Sequence, residues 1–449
     1  MENQKGNKRC TLLLKNCIAL LPDYSFLDGA SIAIDGNRIV EIGPTSSVEA
    51  SFIANEIIDA KGKLAIPGMI DCHTHTVQQF LKGGVVGEPP IVWIRILVPY
   101  EAKLNEKDRY HAARLACLQM VRAGITTFAD SGTGDMVPVI QAVQEMGLRA
   151  VITRMTRDEG DFIPSIFKSS AEIAVKKNEE LYRQFHGSGN GRISIWFSVT
   201  SPMTTSPQLA HLVAEAAKEY NSGVHIHLAE HLDEVKHCLT KYGMRPPAYL
   251  DSCGLLGPNL IAAHCVQISD FDVHLLSERK VNIIHCPCSN LSSQGFPKLL
   301  AERAAGINIC LGNDGAASHN LDLFFQMQVL KYVAQAAFGI PIFEPEVLPV
   351  KEAFQMAIIN GAKALMLERE IGSLEVGKKA DIVLLDISHP IISPNRNLLN
   401  TLVMVGSGRD VTDVVIDGQV IMKNRQFVSI DEKEITTSAA AQFNDFWSR

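Results

Sequence analysis

The sequence predicts an α/β protein: a TIM-like (β/α)8 barrel with a small β-sandwich domain built from both chain termini. Three observations predict it. Short apolar runs alternate with helix-like segments through the middle of the chain, as a parallel sheet with crossover helices requires. About eight such units fit into ~300 residues, which favours a closed barrel over an open sheet. The two ends share another texture, short strands joined by Asp-Gly and Gly-Asn turns. The 449 residues exceed one ordinary small domain. We divide them into 1–66, the first part of the sandwich; 67–372, the barrel; and 373–449, the rest of the sandwich plus a terminal helix.

The N-terminal strands are Cys10 to Leu14, Ser31 to Ile34 and Arg38 to Ile42, the last two joined by Asp35-Gly36-Asn37. Asp-Gly and Gly-Asn supply the positive φ angles that hairpin turns need. The far end repeats this: Ile382 to Leu385, then Val411 to Ile416, Asp417-Gly418 and Val420 to Met422. In the barrel, a first strand ends at His75. Further strands are Thr126 to Ala129, Ala150 to Ile152, Ser194 to Phe197, Gly223 to Leu228, Leu260 to Ala263, Val281 to Ile284 and Asn308 to Leu311. Helix-like segments are Lys107 to Ala123, Pro138 to Met146, Ser169 to Phe185, Pro207 to Tyr220 and Phe296 to Ala305. The tail, Asp431 to Arg449, reads as a helix.

Composition narrows the function classes. Hydrophobic residues make up 46% and charged residues 20%, enough for a sizeable core. A net charge of −7 gives no reason to expect a nucleic-acid partner. The polar start Met1 to Gly6 lacks an apolar signal core, and no apolar run approaches a membrane span. Ten cysteines in so long a chain do not read as a disulfide framework. The expectation is a cytoplasmic protein with free thiols.

The chemistry starts at Pro67-Gly68-Met69-Ile70-Asp71-Cys72-His73-Thr74-His75. On a strand, side chains at i and i+2 share a face, so His73 and His75 converge on one point. Four more residues sit at the ends of apolar runs: His227, Glu230, His264 and Asp314. In a (β/α)8 barrel those C-terminal strand ends carry the active site. A hydrolytic zinc site needs a few nitrogen or oxygen ligands and one open position for water. His73, His75, His227 and Asp314 supply the ligands. The ion would lower the pKa of water to roughly 7. Glu230 would shuttle a proton to a ring nitrogen and then to a leaving group. His264 would orient the nucleophile and stabilise developing charge.

This pattern resembles the amidohydrolase superfamily and, within it, the chlorohydrolase and nucleobase-deaminase branch. Within that branch it is similar to deaminases of methylthioadenosine and S-adenosylhomocysteine. The resemblance runs from Pro67-Gly68 to Gly377-Lys378-Lys379-Ala380-Asp381. Its most specific segments are His227-Leu228-Ala229-Glu230, Ala262-Ala263-His264-Cys265-Val266 and Gly315-Ala316-Ala317-Ser318 after Asp314. It implies one divalent ion on the four ligands, zinc first, with Fe2+ or Mn2+ as alternatives. No lysine stands in Ile195 to Thr200, where two-metal relatives carry a carbamylated one, which supports a mononuclear site. Val98 to Leu104 resembles a loop over the barrel mouth whose glutamate, Glu101 here, accepts both ribose hydroxyls. A carboxylate suits a vicinal diol, since two oxygens meet two donors.

Three positions depart from the family. Thr200 stands where a histidine before Ser-Pro is frequent, Ser292 where a lysine is usual, and His319 where an asparagine is usual. Thr200 and His319 are placed near the ligand, with altered specificity. Arg154 or Arg157 would meet an anionic tail; we assign Arg154. The implied reaction is hydrolytic deamination of a purine-type heterocycle or nucleoside, with water as co-substrate. The alternative is an s-triazine or guanine-type aminohydrolase or chlorohydrolase on the same site. A non-catalytic scaffold is disfavoured, because such relatives typically lose ligands. The resemblance also admits a homodimer.

Other residues get structural readings. His111, His186, His211, His237, His274 and His389 are read as ordinary surface or core histidines. His225 faces the same way as His227 and is read as packing and hydrogen bonding behind the ligands. His285-Cys286-Pro287-Cys288 lacks a second cysteine pair at finger spacing, so it reads as a buried strand end with inert thiols. Met327 to Leu330 reads as core, and Gly83-Gly84 with Gly87 as a flexible loop near the site.

Overall fold

A broken eighth strand closes the barrel, and the break sets the position of Asp314. The computed structural model of the protein describes residues 8–89, 91–317 and 319–449. The polar start Met1 to Gly6, and Ser318 of the Gly315 to Ser318 motif, lie outside the described residues. Along the chain the strands are β1 (Lys8–Leu20), β2 (Phe26–Asp35), β3 (Arg38–Pro44), β4 (Phe52–Asp59), β5 (Lys63–Pro67), β6 (Met69–His75), β7 (Ile125–Asp130), β8 (Arg149–Thr153) and β9 (Ile193–Ser198). They continue as β10 (Val224–Leu228), β11 (Leu260–His264), β12 (Asn282–His285), β13 (Ile309–Leu311), β14 (Asp314–Gly315), β15 (Ile382–Asp386), β16 (Val411–Ile416), β17 (Gln419–Lys423) and β18 (Gln426–Phe427).

Strands β6 to β13 pair side by side in chain order and all in parallel. β13 pairs with β12, and after Gly312-Asn313 the chain resumes as β14 and pairs with β6. Asp314 lies opposite Thr74, between the two histidines of β6. The approach is close. A Cβ on Gly312 would sit 2.8 Å from His73 Cβ and 2.9 Å from the His73 carbonyl oxygen, so only glycine fits there.

The chain termini form a second, mixed and mostly antiparallel sheet in the order β18-β17-β16-β15-β5-β1-β2-β3, with β4 also on β1. β5 and β15 join the two ends, antiparallel from Pro67↔Ile382 to Lys63↔Asp386. It is one continuous nine-stranded set rather than two separate sheets. β1 is shared: its first half runs parallel to β4 and its second half to β5. Leu12 and Leu14 pack with Ile382 and Leu384, while Leu13 packs on the opposite side with Val48 and Phe52. Both faces of β1 are thus covered.

Arg149, at the start of β8, ties the barrel to this sheet. Its Nε and Nη2 donate to Asp381 at 3.0 and 3.2 Å, and Nη2 also reaches Asp417 at 3.3 Å. All three side chains are buried. Removing one partner from a buried, hydrogen-bonded ion cluster strands the remaining charge. Asp381→Ala is expected to lower the unfolding free energy by about 3–5 kcal/mol in a denaturant titration; a change under ~1 kcal/mol would show that the cluster does not join the two parts.

The helix expected over Phe296 to Ala305 is shorter, Leu299–Ala304. Pro297 disfavours helical geometry in the residue before it and lacks an amide hydrogen, so the helix begins after it. The tail is helical, Glu432–Ser448, and packs on the helix Glu106–Arg122 through Arg114–Glu434 and Arg449–Asp108 pairs. Phe446 meets Tyr100, and Trp447 Nε1 donates to the Phe80 carbonyl at 3.3 Å. The tail therefore braces the turn after His75 and the short helix Val98–Glu101. Met327 and Leu330 are fully buried on the helix Leu323–Ala334, and all ten cysteines are free. Among the described residues, no helix is long and apolar enough to cross a membrane.

Candidate active site

Asp71, His73 and His75 alternate along β6 and so share one face. His73 is fully buried, and its Nε2 lies 3.5 Å from Asp314 Oδ1. His75 Nε2 lies 3.3 Å from the same oxygen and 3.3 Å from His227 Nε2. Two donor groups result, His73 with His75 and Asp314, and His73 with His227 and His264; within each, the ligand atoms lie within 4.8 Å of one another. The structure thus brings together all four residues expected as ligands, from β6, β10 and β14, with His264 of β11 alongside.

Each imidazole is held from behind. His75 Nδ1 meets Ser131 Oγ at 2.9 Å, His227 Nδ1 donates to the Thr200 carbonyl at 2.9 Å, and His264 Nδ1 to Asn290 Oδ1 at 2.9 Å. His73 Nδ1 pairs with His225 Nε2 at 2.8 Å, which gives His225 the supporting place its strand register predicts. These contacts leave the four Nε2 atoms turned toward the centre. The Nε2 atoms of His73 and His264 are buried without a hydrogen-bond partner. Buried polar atoms are rarely left so. Unserved imidazole nitrogens beside a carboxylate fit a divalent cation, and nitrogen with oxygen donors suits zinc.

For His73 and His227 the electrostatics agree. Burial pushes His73 down to about 4 and holds His225 and His227 well below the usual imidazole range. Neutral imidazoles are the form that binds metal. For His75 burial acts the same way, but Asp314, with Glu101 and Asp130 behind it, outweighs burial and lifts it to about 9. Burial also opposes ionisation of Asp314, yet His73 and His75 hold its carboxyl well below the ordinary range. Four non-glycine residues at these strand ends adopt left-handed backbone: Ala229 (φ 48°), His264 (φ 75°), Cys265 (φ 49°) and Asp314 (φ 61°). Such strain gathers where side chains must be aimed.

Glu230 follows β10. Its Oε1 accepts from Gln294 Nε2 at 2.6 Å and His231 Nε2 at 3.1 Å, and lies 4.0 Å from His264 Nε2. Burial would raise its pKa, but His264, His231 and His227 together lower it to about 2. It stands as a carboxylate. The buried Glu234 accepts from the Ala229 amide at 2.6 Å and so fixes the turn that carries Glu230. Burial raises Glu234 to about 8.

These groups open on a cavity whose walls include Glu101, Met155, Arg157, Thr200 and Trp93. Glu101 is 2% exposed; Gln78 Nε2 donates to its Oε1 at 3.0 Å and Thr133 Oγ1 to its Oε2 at 3.1 Å. Of the two arginines, Arg157 lines this cavity and Arg154 does not. Arg154 lies one residue beyond β8, and its charge faces Asp135 and Glu180 instead. His319 lies in an adjoining outer groove that shares Trp93, Glu230 and Asp314 with the cavity, and its Nε2 bonds the Asn313 carbonyl.

Sequence reasoning did not single out Asp71 and Asn313. The buried Asp71 carboxylate accepts from the Asn313 amide at 3.0 Å and side chain at 2.8 Å, and from the His73 amide at 3.3 Å. It clamps the strand of His73 to the segment of Asp314. Burial raises its pKa to about 7. Its place two residues before His73 was the available signal. Ser131 comes from a loop, and Asn290 and Gln294 from a short helix, Pro287–Ser293, and its end, with no periodicity to mark them. His285 forms a fully buried pair with Glu302 at 2.7 Å, and Cys286 is buried behind it.

Residues 64–421 match the amidohydrolase family. The chain is 36% identical over 421 residues to a 5-methylthioadenosine/S-adenosylhomocysteine deaminase of Pelotomaculum thermopropionicum, covering 93% of this chain and 94% of that one. It is 34% identical over 434 residues to a 5'-deoxyadenosine deaminase of Methanobrevibacter smithii, covering 96% of each. Among solved structures, an adenosine deaminase from Xanthomonas campestris with bound zinc superposes with a TM-score of 0.92 at 27% identity, over 99% of this chain and 100% of that one.

Proposed function

Because this chain belongs to the amidohydrolase family, we propose that it removes an exocyclic amine from a purine-type heterocycle or nucleoside by hydrolysis, with one zinc ion held by His73, His75, His227 and Asp314. The observation that carries this reading is the meeting of His75, His227 and Asp314 of that donor set with Glu230 and Glu101 in one cavity, with His73 buried behind them. The names of the relatives support the substrate class, and the zinc in the adenosine deaminase structure supports the metal.

A bound divalent ion lowers the pKa of water to roughly 7, so hydroxide is available near neutral pH. Glu230, as a carboxylate, takes a proton from the attacking water. It delivers that proton to the ring nitrogen beside the amine-bearing carbon. Attack at that carbon then places charge where the protonated ring can hold it. Glu230, again a carboxylate, next takes the proton of the newly added hydroxyl and passes it to the departing amine; ammonia leaves as the ring carbonyl forms. His264 keeps its own proton on Nδ1 toward Asn290, so its Nε2 can accept from the water and orient it. With Nε2 only 4.0 Å from Glu230 Oε1, the two groups can act on one water molecule.

Zinc-loaded protein is expected to release ammonia from at least one of methylthioadenosine, S-adenosylhomocysteine and adenosine. Silence with all three, together with turnover of an s-triazine or a guanine-type ring, would replace the nucleoside reading with the alternative. Glu101 is assigned to the ribose diol, its oxygens steadied by Gln78 and Thr133. Glu101→Ala is expected to raise KM for a nucleoside roughly ten- to hundredfold, the range for hydrogen bonds to a charged group, and to spare the free base. An equal effect on nucleoside and free base would remove that role.

A further inference from the structure

Arg157 is a buried cation with no described carboxylate in direct contact; the charge that acts on it is Glu101, elsewhere on the cavity wall. It is 2% exposed and, among the described residues lining the cavity, is the only lysine or arginine. No described carboxylate lies within 4.0 Å of its guanidinium. Nε donates to Thr200 Oγ1 at 3.0 Å, Nη2 points to Met155 Sδ at 2.9 Å, and the group lies 5.2 Å from the centre of the Phe167 ring. A thioether is a weak acceptor, and Nη1 has no hydrogen-bond partner among the described residues. Burial lowers its pKa only to about 10, so it stays charged at neutral pH.

Leaving a guanidinium this dry and this poorly served is costly unless something else meets it. Thr200 shows where that something lies. Its hydroxyl accepts from Arg157 and donates to the Thr156 carbonyl at 3.2 Å, while its own carbonyl holds His227. Arg157 is therefore tied to the residue that anchors a metal ligand, at the reacting end of the cavity. Its fork can reach a ring edge there.

We propose that Arg157, aimed by Thr200, determines specificity by donating a hydrogen bond to an acceptor on the substrate ring, a ring nitrogen or ring carbonyl oxygen. This rests on the deaminase reading of the same cavity. A charged, rigid donor favours electron-rich acceptor edges over apolar ones. Thr200, where relatives often have a histidine, then serves to set the angle of the arginine rather than to touch the ring.

The test compares wild type, Arg157→Met and Arg157→Lys on adenosine, 7-deazaadenosine and 3-deazaadenosine with the zinc-loaded enzyme. Arg157→Met is expected to raise KM for adenosine roughly ten- to hundredfold with little change in kcat. One deaza analogue should be equally weak with wild type and insensitive to the substitution. Equal losses on all three compounds would reduce Arg157 to a charge balancing Glu101 and overturn the proposal. So would a loss confined to S-adenosylhomocysteine and absent with methylthioadenosine, which would place it at the tail. Should Arg157→Met fail to fold, Arg157→Lys carries the comparison, since it keeps charge but not the fork. Calorimetric titration with inosine separates this proposal from the reaction itself. Tight binding to wild type that weakens in the variant supports it even if no amine is released, and equal or absent binding overturns it.

Discussion

Glu230→Gln is expected to keep its zinc and to lose turnover by at least roughly a hundredfold, the lower range for general acid–base groups. Glutamine preserves the shape and can still accept from Gln294 and His231 on its oxygen. It cannot take a proton. The ligand cluster does not include Glu230, so metal content should be unchanged, and the loss should fall on kcat rather than KM. A substrate with a much better leaving group would recover part of the rate, because amine protonation then matters less. A variant with near-normal kcat would assign the proton transfers to another group, His264 being the nearest candidate at 4.0 Å.

His73→Ala is expected to abolish metal binding: bound zinc should fall from one per chain to near zero by elemental analysis after dialysis against zinc-containing buffer. His73 belongs to both donor groups, so its loss breaks each of them. Alanine would also leave His225 Nε2 without its partner at 2.8 Å. His225→Phe provides a graded comparison. It keeps every ligand but removes the contact that holds His73 Nδ1, and outer contacts of this kind typically change metal affinity by roughly ten- to hundredfold. Full zinc occupancy in His73→Ala would mean that the ion rests on other residues.

Much of this was readable from residue order because strands impose a period of two. His73 and His75 had to share a face, and the strand-end positions of His227, His264 and Asp314 followed from where apolar runs stop. The architecture was readable from the alternation of apolar runs with helical segments, and the union of both termini from their shared strand-and-turn texture; the joining pair, β5 with β15, was not singled out. Loops carry no such period. Arg154 and Arg157 are three residues apart in one, and only the path of the chain decides that Arg157 enters the cavity. The break at Gly312-Asn313 was hidden too. It reads as an ordinary strand end, yet Gly312 packs on His73 and Asn313 binds Asp71. The bracing of the Glu101 helix by Phe446 and Trp447 joins residues more than three hundred positions apart, which no local pattern can announce.

The most direct test is anomalous diffraction at the zinc edge from zinc-loaded crystals. One peak per chain is expected, about 2.0–2.2 Å from the Nε2 atoms of His73, His75 and His227 and from Asp314 Oδ1. No peak there under zinc-replete conditions, or a peak bound by a different set of side chains, would contradict a single ion shared by these four residues.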